Sequence, residues 1–80
     1  PLFYSRTLKL KGPVQLLNRG TLKFWDTDGA VTVQVIAFGM SNLRESLLQA
    51  DSFDLVYIPK IDSWRQEESM ILEAKDMFFK

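Results

Sequence analysis

Apolar and polar residues alternate with a period of two over most of this chain, and the alternation lapses once, past the middle. Phe3–Lys11 sets Phe3, Ser5, Thr7 and Lys9 against Tyr4, Arg6, Leu8 and Leu10, which suits an extended segment better than a helix. Gly12-Pro13 interrupts it, because proline cannot donate to a sheet ladder and glycine loosens the backbone. Val14–Leu17 resumes as a strand. The opening therefore reads as one long strand with a break, or as a lead-in followed by a strand. Asn18-Arg19-Gly20 is a turn signal.

Thr21–Trp25 and Ala30–Phe38 are rich in β-branched and aromatic residues, and Asp26-Thr27-Asp28-Gly29 between them supplies turn chemistry. The pair predicts a hairpin. In its first arm Leu22 and Phe24 point one way, while Thr21, Lys23 and Trp25 point the other. In its second arm Val31, Val33, Val35 and Ala37 share a face, with Ile36 and Phe38 opposite. Apolar residues on both faces near the end suggest a strand that bends or bulges as it changes core.

The lapse in alternation follows. Ser41 is placed as an N-cap for a helix over Asn42–Ala50, with Leu43, Leu47 and Ala50 forming one stripe. Phe53–Ile58 returns to strand, and Pro59 marks its edge. Lys60–Glu68 is a polar hairpin loop carrying Trp64. Ser69–Met77 is the last strand, with Met70, Leu72 and Ala74 inward. A helix over Glu67–Phe79 is the competing reading, since Ile71, Lys75 and Phe78 also fall at helical spacing. The strand is preferred because it pairs naturally with Phe53–Ile58. The expected fold is mostly β: a five-stranded OB-fold barrel over residues 1–80, with one helix between the third and fourth strands. Closure removes sheet edges that so short a chain could not otherwise protect. An SH3-like barrel is the nearest competitor, but it has no helix at that position.

Composition narrows the chemistry more than the architecture. Eighty residues with a 46% hydrophobic share make one small domain and argue against disorder. With no cysteine, disulfides and thiolate metal sites are excluded, and a reducing, cytoplasmic setting is expected. With no histidine, Ser-His-Asp and Cys-His schemes and His-ligated zinc are excluded too. No apolar run approaches the ~18 residues of a membrane helix. The chain begins at Pro1 rather than methionine and is expected to be a piece of a larger protein.

Net charge is zero but unevenly spread. Residues 1–25 carry Arg6, Lys9, Lys11, Arg19 and Lys23 and no acid, whereas all 10 acids lie in residues 26–80. A neutral total can thus hide a one-sided basic surface of the kind nucleic acid selects.

Candidates for catalysis are poor. Asp26 and Asp28 have calcium-loop spacing and Gly29 follows, but the distal bidentate glutamate is missing and a turn explains every residue. Glu67 and Glu68 are adjacent, so on an extended backbone they face opposite ways and make a poor acid–base pair. No catalytic and no metal residue is assigned. Binding candidates are better. A single-strand binder needs aromatic faces for stacking and cations for phosphates. Lys23 and Trp25 share the outer face of the second expected strand. Arg19 lies in the loop between the first and second, and Trp64 and Arg65 lie in the loop between the fourth and fifth, with Lys60 at its foot. Those loops flank the ligand groove in OB folds. Each residue has a plainer reading: Trp25 as a lid on the core, Trp64 packed back on its hairpin, Lys23 and Arg65 as solvated charges. Their convergence favours binding.

The strand ending Ile36-Ala37-Phe38-Gly39, the Asp54-Leu55-Val56 strand, Trp64, and the closing Leu72-x-x-Lys75-Asp76-Met77 resemble the OB-fold domain of RecJ-type single-stranded-DNA-specific exonucleases. The likeness covers roughly Thr21–Met77. It departs at Gly20-Thr21-Leu22-Lys23, where that family commonly has a histidine before Leu-Lys, and at Arg65-Gln66, where a glycine usually follows the tryptophan. The resemblance implies a domain that grips single-stranded DNA for a 5′–3′ exonuclease acting in DNA repair and recombination. It further implies that hydrolysis occurs in other domains of the parent protein, at a site holding divalent Mg or Mn, with no cofactor in this piece. A protein-interaction or packing module, docking a partner through its acidic second half, is the alternative. An OB domain of a tRNA-binding or helicase-associated protein is a third.

Overall fold

Leu22, Phe24 and Asp26 turn inward from one strand while Lys23 and Trp25 turn outward, and this alternation organises a sheet that closes on itself. In the computed structural model, which describes residues 1–62 and 69–80, the strands are β1 (Phe3–Leu10), β2 (Gln15–Leu17), β3 (Thr21–Thr27), β4 (Thr32–Ala37), β5 (Phe53–Asp62) and β6 (Ser69–Phe79). One short helix, α1 (Arg44–Gln49), lies between β4 and β5. The neighbour order is β1-β5-β6-β4-β3-β2, and a β1–β3 pairing completes a ring. Every pairing is antiparallel except β4 with β6.

Six strands stand where five were expected, and the break at Gly12-Pro13 is the reason. Before it, Lys9 and Leu10 pair with Thr27 and Asp26 at the end of β3. After it, Gln15, Leu16 and Leu17 pair with Lys23, Leu22 and Thr21 at the start of β3. One edge of β3 is thus served by two short strands in slipped register, because proline removes a donor and Gly12, at φ 87°, turns the chain. The competing helix over Glu67–Phe79 does not form. Ser69–Phe79 is strand, paired with β5 from Phe53↔Phe79 to Asp62↔Ser69.

The interior is built from side chains of both sheet arms and the helix. Leu22, Phe24, Val35, Leu47, Phe53 and Leu55 are fully buried, and the rings of Phe24 and Phe53 meet edge-to-face with centroids 6.0 Å apart. Burying each such side chain is worth roughly 1.5–3 kcal/mol. Leu47 fixes α1 against one end of the ring. The helix is shorter than the expected Asn42–Ala50, because Ser41–Leu43 forms a 3-10 turn leading into it. Ser41 does not cap it: no side-chain cap bond is made at either segment's N-terminus.

Two strands depart from simple alternation. In β6 the pairing passes from Val56↔Asp76 to Tyr57↔Ala74, so Lys75 is bulged and the inward positions change phase. Leu72 and Ala74 point inward as expected, Met77 replaces the next even position, and Met70 is exposed. Val31, expected to share a face with Val33, Val35 and Ala37, is exposed and lies outside β4, which begins at Thr32. Ile36 and Phe38 do not enter a second core; Phe38 is 61% exposed.

In β1 the register shifts between Ser5 and Leu8, where Thr7 takes the left-handed conformation with φ 56°. Its freed N–H donates to Asp54 Oδ1 at 2.9 Å, and Tyr4 Oη–H donates to Asp54 Oδ2 at 2.8 Å. A bulge, a buried carboxylate and two strands are thereby locked together.

Candidate functional site

The outer face of β3 gathers the chain's early cations. Leu8, Leu22 and Phe24 are buried, so alternation turns Lys9, Lys11, Lys23 and Trp25 outward. Lys9 stands opposite Thr27, Gln15 opposite Lys23, and the Lys11 N–H donates to the Trp25 carbonyl at 2.9 Å. Neighbouring strands lie ~4.8 Å apart, so Lys11 stands beside Trp25 while Lys23 is two residues along the same strand. The Trp25 side is 45% exposed, which leaves its ring available rather than sealed as a lid. This is the combination of a flat aromatic and flanking cations that base stacking and phosphate contact require.

Of the expected residues, the structure brings Lys23 and Trp25 onto this face. Arg19 lies at its end, in the 3-10 turn Asn18–Gly20 between β2 and β3. Lys60 belongs to β5 rather than to a loop, because both strands of the last hairpin run on to Asp62 and Ser69. Across the sheet the registers align Trp25 with Gln34, Gln34 with Ile71, and Ile71 with Lys60. At ~4.8 Å per strand this sets Lys60 about 14 Å from Trp25. Trp64 and Arg65 lie outside the described residues, as do Glu67 and Glu68.

Beside Lys60 runs a shallow groove of about 280 Å³, lined by Ile36, Phe38, Lys60, Ile61, Ile71 and Glu73. Glu73 is the acid within it. Its carboxylate accepts a bond from Lys75 Nζ at 2.6 Å, which holds its pKa below the usual range. Sequence reasoning passed over Lys9, Lys11 and this apolar floor as site residues. The alternation in Phe3–Lys11 already set the lysines opposite Leu8 and Leu10, but only the β1–β3 register puts them beside Trp25.

Arg6 leaves the group. Its guanidinium sits 5.6 Å over the Tyr4 ring, on the β1–β5 part of the sheet.

The two acids with calcium-loop spacing point apart. Asp28 Oδ1 accepts the N–H groups of Ala30 and Val31, each at 2.8 Å, and these bonds hold its pKa down. Asp26 was expected in the turn but pairs with Val33 and Leu10 inside the sheet, 3% exposed. Burial, then the charge of Asp28, pushes its pKa up to about 6, and its Oδ2 has no hydrogen-bond partner. Among the described residues no three acidic side chains converge on a point that could hold a metal ion. Among them too, no helix is long and apolar enough to cross a membrane.

No curated protein sequence matches this chain at a significant level. The family model of the RecJ OB domain matches residues 1–76, a span that takes in β1 and β2 as well as the motifs from Thr21 onward. This chain belongs to the RecJ OB domain family.

Proposed function

We propose that residues 1–80 are a five-stranded OB barrel that grips single-stranded DNA within a RecJ-like 5′–3′ exonuclease. In this reading β1 and β2 count as one interrupted barrel strand. The domain holds the strand for phosphodiester hydrolysis at a divalent-metal site, Mg or Mn, in other domains. Arg19, Lys23, Trp25, Lys60, Trp64 and Arg65 are the proposed contacts, joined by Lys9 and Lys11. The cysteine-free composition suits the cytoplasm.

The observation that carries the reading is the half-exposed Trp25 flanked by Lys11 and Lys23 on one outer face. A base stacked on the indole is worth roughly 1–3 kcal/mol, and the lysines meet the adjoining phosphates. The test is titration of labelled oligo-dT against the 80-residue chain at low and moderate salt. Binding at low salt that falls with added salt is expected. Trp25→Ala lowers affinity about 5- to 150-fold, and Lys23→Glu weakens binding further at low salt. An isolated domain that binds no oligonucleotide at low salt overturns the reading.

The groove over Ile36, Phe38, Ile61 and Ile71 favours a second reading, a packing module that seats another part of the parent protein. Such an apolar contact would be insensitive to salt, whereas a phosphate grip weakens steeply.

A further inference from the structure

The turn that carries Arg19 is built against its own backbone preference. Arg19 holds φ 63° and ψ 33°, the left-handed region that a side chain with a Cβ adopts at a cost. Gly20 follows at φ 67°, and a methyl group there would come within 3.0 Å of Ser41 Oγ. The left-handed φ and this tight contact together favour glycine at position 20, and position 19 carries the side chain. A glycine or asparagine would sit at position 19 with less strain. Among the described residues Arg19 makes no ion pair. An exposed cation held in a strained backbone conformation is a candidate for an external contact.

Beside that turn lies a shallow, open depression of about 740 Å³. Leu16, Leu17, Thr21 and Phe38 line it with Asn18 and Arg19. Leu16 is 60% exposed and Phe38 61%, so an aliphatic and an aromatic side chain in its lining are both open to solvent. Thr21 lies on the same strand as Trp25, four residues away, or about 13 Å along β3. The depression and the Trp25 face therefore lie along one strand.

We infer that this pocket takes one nucleobase of the bound strand, stacked on Phe38, with Arg19 on the adjoining phosphate and the Asn18 amide beside the base edge. The inference rests on the single-strand reading above and adds to it a second stacking position, separate from Trp25. An amide supplies both donor and acceptor, so any base edge finds a partner.

The experiment uses the 80-residue chain and oligo-dT in which a single abasic nucleotide is moved through successive positions. Phe38→Ala lowers affinity for intact oligonucleotide about 5- to 150-fold, and one abasic position that penalises the wild type costs this variant nothing further. Phe38→Leu keeps apolar cover while removing the aromatic face, and it too weakens binding. Arg19→Gly raises Tm by a few degrees, through relief of the left-handed strain, while weakening binding. A merely structural arginine would not separate those two readouts. Should Phe38→Leu and Arg19→Gly bind as tightly as wild type while Trp25→Ala is impaired, the pocket assignment is wrong and the grip stands. Wild-type protein that fails to bind at low salt removes both.

Discussion

Lys80 Nζ lies 3.1 Å from Asp54 Oδ1, so the last residue of the chain is ionically tied to the beginning of β5. Backbone bonds reinforce it: the Lys80 N–H donates to Ser52 and the Lys80 carbonyl accepts from Asp51. The Thr7 N–H of β1 donates to the same Asp54 Oδ1, and the Tyr4 hydroxyl donates to Oδ2. Three parts of the chain thus meet at one buried acid, 5% exposed. The Thr7 N–H, then the Tyr4 hydroxyl, then Lys80 hold its pKa down to about 2.

Asp54→Asn therefore lowers Tm by several degrees at neutral pH. Because the folded pKa lies below the ordinary value near 4, the stabilisation is complete above about pH 4 and is lost as pH falls toward about 2. Thermal melts of both proteins converge at the acid end of that window. A gap that stays constant from pH 7 to pH 2 contradicts the assignment.

Asp26 carries the opposite sign. Its folded pKa of about 6 exceeds its unfolded value, so the folded state binds the extra proton between about pH 4 and 6. Stability therefore declines as pH rises through that interval. Asp26→Asn keeps the size and removes the buried charge. It is expected to melt a few degrees above wild type at pH 8 and level with it near pH 4.

Phe24→Ala tests the centre of the ring. The ring of Phe24 is 1% exposed and packed edge-to-face on Phe53. Its removal costs about 3–5 kcal/mol, against a total of roughly 5–15 kcal/mol for a domain. Urea unfolding should show a much lower midpoint, or a chain already unfolded at 37 °C. The α1 anchor Leu47→Ala is expected to cost somewhat less, about 2–5 kcal/mol.

The outer face makes a prediction about salt. Lys9 of β1, Lys11 just beyond it, Lys23 of β3 and Lys60 of β5 all lie on the outer surface. Each phosphate neutralised on a single strand adds about −0.7 to the slope of log K against log salt. If all four engage, the slope is about −3. Lys23→Gln flattens it by about 0.7; Arg6→Gln, which alters the far side of β1, leaves it unchanged.

The β3–β4 hairpin was legible from the chain because its cause is local. Alternation in Leu22–Trp25 and Val33–Ala37, with Asp28-Gly29 between, specifies two strands and their inner faces without reference to anything distant. The single helix and the outward Lys23 and Trp25 followed from the same short-range rule.

What long-range pairing decides was not legible. Asp26 has turn chemistry, yet partners on both sides, Leu10 and Val33, draw it into the sheet and bury its charge. Met77 takes an inward place because a bulge at Lys75 shifts the phase of β6, and no property of Lys75 itself announces a bulge. Lys9 and Lys11 become neighbours of Trp25 only through closure of β1 on β3. Local alternation tells each residue which side of its own strand to occupy. Register, set by closure of the whole ring, tells it whose company it keeps there.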